Sequence, residues 1–178
     1  MKTEFKAKFL QHLNQKKQNE GFTLIELLVV VIIIGILAAI ALPSLLSQTN
    51  KAKQAEARQN IGAMNRSQQA FYLEKQLFAT NMADLGVGIK SQTENFIYSI
   101  PAAQATSSSV QNQAYAAGKA NLKAYTGVVY TTITAAGGGG TTEALTQALL
   151  CESNGPQVAP YTAPTPAGGC VGGKDLGK

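Results

Sequence analysis

Hydrophobic positions fall along the chain in three different rhythms. From Leu27 to Leu42 every residue is apolar or glycine, and Glu26 is the single charge between Phe22 and Leu46. As a helix, residues 22–46 would reach roughly 37 Å, enough to cross a bilayer core of about 30 Å. An ionised carboxylate near the centre of such a span costs about 2.5–3.5 kcal/mol or more. Glu26 sits close to one end, where it is cheaper, but its presence still requires a reason.

Beyond Pro43 the chain turns polar while remaining rich in helix formers. Ala57, Ile61, Met64, Gln68 and Phe71 recur at spacings of four and three, one mostly apolar stripe on a charged helix that suits packing against a sheet. The pattern predicts a single helix from near Thr23 to Lys75 or Gln76. Gly35 and Pro43 interrupt its ideal chemistry, since proline removes a backbone donor and crowds the preceding turn. Residues 35–43 are therefore expected to be extensible or bent. Residues 77–92 lose the period and read as a connecting loop. Alternation then predicts strands at 95–100, 113–117 and 124–134, with 102–112 as a Ser/Ala/Gln loop, Gly137–Gly140 as a turn, and 145–151 as a strand or short helix. The remainder, from Cys151 on, is Gly, Pro and small polar residues, which would not fold unaided.

Charge changes this picture at the N-terminus. Net charge is +5, and +3 of it lies in residues 1–21, with Lys2, Lys6, Lys8, Lys16 and Lys17 against Glu4 and Glu20. Lysines before an apolar segment place that end in the cytoplasm and the polar remainder across the membrane. The basic balance thus belongs to the leader and does not indicate nucleic-acid binding. A small residue, Gly21, precedes the apolar run, the reverse of an ordinary signal peptide. A cut after Gly21 would leave 157 residues, a membrane segment at 22–46 and one modest domain at 47–178.

Cys151 and Cys170 are the only cysteines, and both lie in the exported part. Two thiols in an oxidising compartment are expected to pair, closing a loop of roughly 20 residues worth about 3 kcal/mol; two free thiols are the alternative. The single histidine, His12, is in the leader, so Ser-His-Asp and Cys-His catalysis have no candidates beyond it. Neither the cysteine spacing nor a clustered set of carboxylates suggests a metal, no Lys-Ser/Thr follows the four glycines as a phosphate loop would need, and the carboxylates read as surface charges. No enzyme and no cofactor are expected. Thr162, Thr165 and Ser107–Ser109 could accept O-glycans, with plain solvated loops as the commoner case.

The run Gly21-Phe22-Thr23-Leu24-Ile25-Glu26-Leu27-Leu28, with its basic leader and apolar helix, resembles the class III leader junction of type IV pilins. The resemblance implies an α+β fold, a long N-terminal helix packed on a C-terminal antiparallel sheet with a disulfide-bounded C-terminal loop. It implies leader cleavage between Gly21 and Phe22 by a prepilin peptidase, N-methylation of Phe22, and a role for Glu26 in filament register. It also points to Gly35 and Pro43 as the flexible part of the helix. The partners implied are identical subunits, the inner-membrane assembly platform with its cytoplasmic ATPases, and the membrane before assembly. The localisation implied is an inner-membrane precursor and then a surface pilus serving motility, adhesion and DNA uptake. The small-residue domain and two-cysteine tail more loosely resemble cyanobacterial major pilins. A minor pilin, a type II secretion pseudopilin and a membrane-tethered binding module that never assembles are the alternatives.

Overall fold

A computed structural model describes residues 21–119, 121–134, 143–161 and 169–177. Residues 1–20 of the expected leader 1–21, Gly137–Gly140 and Thr162 and Thr165 lie outside the described residues. The chain forms two units, Met1–Leu46 and Ser47–Lys178.

Helix α1, Leu24–Lys75, begins in the first unit and ends in the second, within a residue of where the apolar period places it. In the first unit its side chains are exposed from residue 21 onward, Ala38 alone being half-buried. Pro43 lies inside the helix, which is assigned without a break through it. At the far end Gln76 adopts φ 56° and its N–H reaches Tyr72 O at 2.8 Å, the single left-handed closure that satisfies one orphan carbonyl.

The second unit is a helix-on-sheet layer. Its sheet runs β1 (Phe96–Ser99), β2 (Ser109–Ala116), β3 (Lys123–Thr134), β4 (Glu143–Pro156) and β5 (Gly173–Asp175), antiparallel throughout and in spatial order 1-2-3-4-5. Alternation puts Phe96, Tyr98, Val110, Ala114, Tyr125 and Val129 into the core. There they meet Ala57, Ile61 and Met64 of α1, all fully buried. Burying side chains such as Ile61 and Met64 contributes about 1.5–3 kcal/mol each. Phe71, the last member of the stripe, is half-buried against the same core. A smaller cluster on the sheet's other face joins Ala124, Cys151 and Tyr161.

The segment between α1 and β1 contains a short helix that the pattern did not reveal, α2 (Met82–Leu85), started by the Asn81 side chain accepting from Asp84 N–H at 2.8 Å and closed by Gly86 at φ 62°. Gln68 holds this segment down. Its amide donates to Ala79 O at 2.9 Å and accepts from Ala79 N–H at 3.0 Å, so a fully buried glutamine satisfies two backbone groups at once.

Three sequence expectations need correction. The 102–112 loop is too long: β2 starts at Ser109, after a 3-10 turn at Ala102–Gln104. Asn112 occupies a core-facing position that apolar alternation would reserve for a hydrophobe, and it is tolerated because its amide donates to Asn65 Oδ1 at 2.8 Å. Residues 145–151 are strand, but the strand continues to Pro156, and β5 pairs with Cys151, Glu152 and Ser153. The tail from Cys151 therefore opens in β4 and returns to the sheet at β5. Glu152 is no surface charge, as described below.

Candidate functional site

The residues singled out by sequence occupy three places. Gly21, Phe22 and Thr23 precede α1 in non-helical backbone, and with Glu26 they line one open cleft. The helix begins where it does because Thr23 and Glu26 form a reciprocal cap. Thr23 N–H and Thr23 Oγ1–H each donate to Glu26 Oε2 at 2.8 Å, and Glu26 N–H donates back to Thr23 Oγ1 at 3.3 Å. Two of the helix's orphan donors are thereby satisfied. The T-x-x-E pattern was present in the sequence as a helix-start signature, and Thr23 is the residue that the sequence reading passed over. The structure thus gives Glu26 an immediate local partner.

From Phe22, 81% exposed, to Leu46, 58% exposed, the large apolar side chains face outward, and nothing among the described residues covers them. One helix in the described residues is long and apolar enough to span a membrane. A continuous exposed apolar surface of this length marks a contact with lipid or with other protein. At Gly35 a Cβ would meet no atom within 4 Å, so no packing inside the chain requires glycine there. Pro43 has no N–H to offer the carbonyl of Ala39, the local weakness expected of a proline inside a helix.

The third place is the sheet end that carries the cysteines. Cys151 and Cys170 are joined, with Cα atoms 5.6 Å apart, tying β4 to the residues just before β5. Glu152, next to the bridge, is buried at the helix–sheet interface. Its carboxylate pairs with Lys123 and with Arg58 Nη2 at 3.5 Å, and accepts from Tyr125 O–H at 3.2 Å. The Arg58 guanidinium lies 5.7 Å from the Tyr125 ring centroid. One anion shared by a helix cation and a strand cation fixes α1 against β3 and β4, and no single-residue pattern in the sequence announced it. Nearby, Glu56 accepts from Asn95 Nδ2 at 3.1 Å and from Tyr98 O–H at 3.5 Å. Burial pushes both tyrosine hydroxyls up to about 12, the adjacent carboxylates adding to it, while hydrogen bonds from Asn60 to Tyr98 and from Arg58 to Tyr125 pull the other way. Among the described residues no three His, Cys, Asp or Glu side chains gather as a metal site.

An exposed apolar helix opened by a capped carboxylate, running on into the core helix of an antiparallel sheet, is the build of a subunit that presents its N-terminal segment to lipid or to other protein. The profile of the Type IV pilin-like G and H family matches residues 54–172, and that of the prokaryotic N-terminal methylation motif matches residues 16–42. The chain belongs to the type IV pilin-like family. Its similar relatives include the type IV major pilin protein PilA of Myxococcus xanthus, 45% identical over 39% of this chain and 31% of that protein. They also include the type IV wide pilus major component PilA4 of Thermus thermophilus, 36% identical over 49% and 68% respectively. The type II secretion system core protein G of Pseudomonas aeruginosa is 36% identical over 46% of this chain and 57% of its own length. The chain thus spans about a third of the Myxococcus relative and little more than half of the Pseudomonas one.

Proposed function

We propose that this chain is the precursor of a structural subunit of a type IV pilus. A prepilin peptidase cuts between Gly21 and Phe22 and methylates the new Phe22 amine. Residues 22–46 hold the subunit in the inner membrane, and residues 47–178 fold across it. An assembly platform driven by cytoplasmic ATPases then draws subunits into a filament of identical copies, a heterologous contact that does not close and so propagates as a fibre. The apolar helices bury one another there, and the stretch from Gly35 to Pro43, short of one backbone hydrogen bond, gives way during packing. On the cell surface the filament serves adhesion, motility or DNA uptake.

The observation that carries this reading is Glu26, the single carboxylate of residues 22–46, four residues from Phe22 in a segment whose large apolar side chains are exposed. In a bundle of such helices an amine or a carboxylate alone would be an expensive buried charge, whereas the pair offset each other in one axial register. Glu26→Ala tests it: processing should continue while surface filaments disappear. Unchanged filaments in that variant would remove the register role and favour a simple membrane tether. The similarity to a type II secretion core protein supports a second reading, a pseudopilin of a secretion rod. Deletion of the gene would then abolish secretion of folded proteins and leave surface pili intact.

A further inference from the structure

We infer that Asn95 and Lys119 are a self-modification site, at which the lysine amine displaces ammonia from the asparagine carboxamide and joins the two side chains by an isopeptide bond. Asn95 immediately precedes β1, and its backbone carbonyl accepts from Ala117 N–H at 3.0 Å, so the end of β2 lies beside it. Gly118, at φ 71°, turns the chain through the left-handed region and brings Lys119 back to Asn95. The Lys119 ammonium donates to Asn95 Oδ1 at 3.0 Å and to Glu94 Oε1 at 3.2 Å. On its other side the carboxamide donates from Nδ2 to Glu56 Oε2 of α1 at 3.1 Å. Its orientation is thus fixed at both ends, the carbonyl toward the amine and the leaving nitrogen toward a carboxylate. Glu56 is held in turn by the buried Tyr98, whose hydroxyl donates to Oε1 at 3.5 Å and accepts from Asn60 Nδ2 at 2.9 Å.

A carboxamide resists attack by an amine free in water. Here the two groups are held in contact, and well-oriented pairs of this kind reach effective concentrations of about 10⁵–10⁸ M. Carboxylates also stand at both the nucleophile and the leaving group, where general acid–base catalysis supplies about 10²–10⁴-fold. The step needs no further reagent. Glu94 takes one proton from the ammonium, and the freed Nζ lone pair adds to Asn95 Cγ. Glu56 carries a second proton from Nζ to Nδ2, and the Cγ–Nδ2 bond breaks. The departing ammonia collects the proton held by Glu94 and leaves as ammonium, so protons and charge balance. Lys119 is 37% and Glu94 87% exposed, which lets the ammonium escape to solvent and makes the linkage one-way. The product ties the start of β1 to the turn between β2 and β3.

The test weighs the intact full-length chain and maps it with trypsin under denaturing, reducing conditions. The linked chain should be lighter by one ammonia. Trypsin should no longer cut after Lys119, so residues 91–123 should appear as one looped peptide that carries the whole mass loss, in place of a peptide ending at Lys119. Lys119→Arg, which keeps the positive charge and a donor to Asn95, should restore the full mass, as should Asn95→Ala. Glu56→Gln should slow the linkage at least about a hundredfold, followed by mass on newly made chain. A wild-type chain of full mass that is cut after Lys119 would overturn the inference. So would an ammonia loss that persists in Lys119→Arg, which would place it elsewhere, for instance in a succinimide at Asn154-Gly155. Chain from membranes and chain from filaments can both be weighed, so the outcome does not depend on whether the chain assembles.

Discussion

Gly127 of β3 faces α1 directly opposite Asn65, and a Cβ at that position would overlap the Asn65 amide. Asn65 cannot yield freely, because it accepts from Asn112 at 2.8 Å and donates to Leu149 O at 3.3 Å. Gly127→Ala should therefore destabilise the domain by about 1–3 kcal/mol, read as a lower urea midpoint with unchanged slope. The buried tyrosines give a pH signature. Their folded values stand near 12 against about 10 when unfolded, so their contribution is complete below pH 10 and is lost as pH rises from 10 to 12. Each is worth up to ~2–3 kcal/mol in that window. Melting temperature should fall steeply above pH 10, and Tyr98→Phe should flatten that fall. Of these residues, Tyr98, Tyr125 and Gly127 lie in strands that the sequence predicts, but their partners were not legible in advance. Asn112 and Glu152 look like loop or surface residues, and Gly127 like one more position of a predicted strand, until a partner 47, 94 or 62 positions away meets them, and periodicity carries no information about such pairings.

The helix and the middle strands were readable because their period is long and uninterrupted. Boundaries were less so. The start of β2 is written in Ser, Gln and Asn, which take strand form because β3 pairs with them, Ser109 opposite Tyr130 and Asn112 opposite Gly127. The end of α1 is governed by Gln76, a non-glycine residue in the left-handed region. Gln76→Gly removes that strain and should stabilise the isolated 47–178 domain by up to about 1 kcal/mol, measured by thermal melting. Beyond Cys151, Ser153 shows how a tail of turn-forming residues becomes strand: its hydroxyl accepts from Ala124 N–H at 3.0 Å and donates to Gly155 O at 2.7 Å. The disulfide fixes β5 to this edge. A Cys151→Ser/Cys170→Ser chain should lose about 3 kcal/mol and expose the β5 amides to hydrogen exchange well before those of β3.

Two halves with opposite solvent preferences share one helix, and that division explains what the chain is for. The domain buries its half of α1 against the sheet, whereas residues 22–46 leave nearly every apolar side chain uncovered and so require lipid or other subunits. The proposed function rests on eight residues at the junction whose chemistry is local: a small residue, the Phe22 amine that the proposed cleavage would create, and a carboxylate one turn away. Thr23 was legible too, as the first residue of a T-x-x-E helix start, but the reading of the junction settled on the charge of Glu26 and passed over its cap. The direct measurement is intact mass spectrometry of filaments sheared from cells expressing this chain. The account predicts a dominant species that begins at N-methylated Phe22 with Cys151 and Cys170 oxidised to one another. Filaments lacking this chain, with the protein held in membranes and its leader still attached, would contradict it.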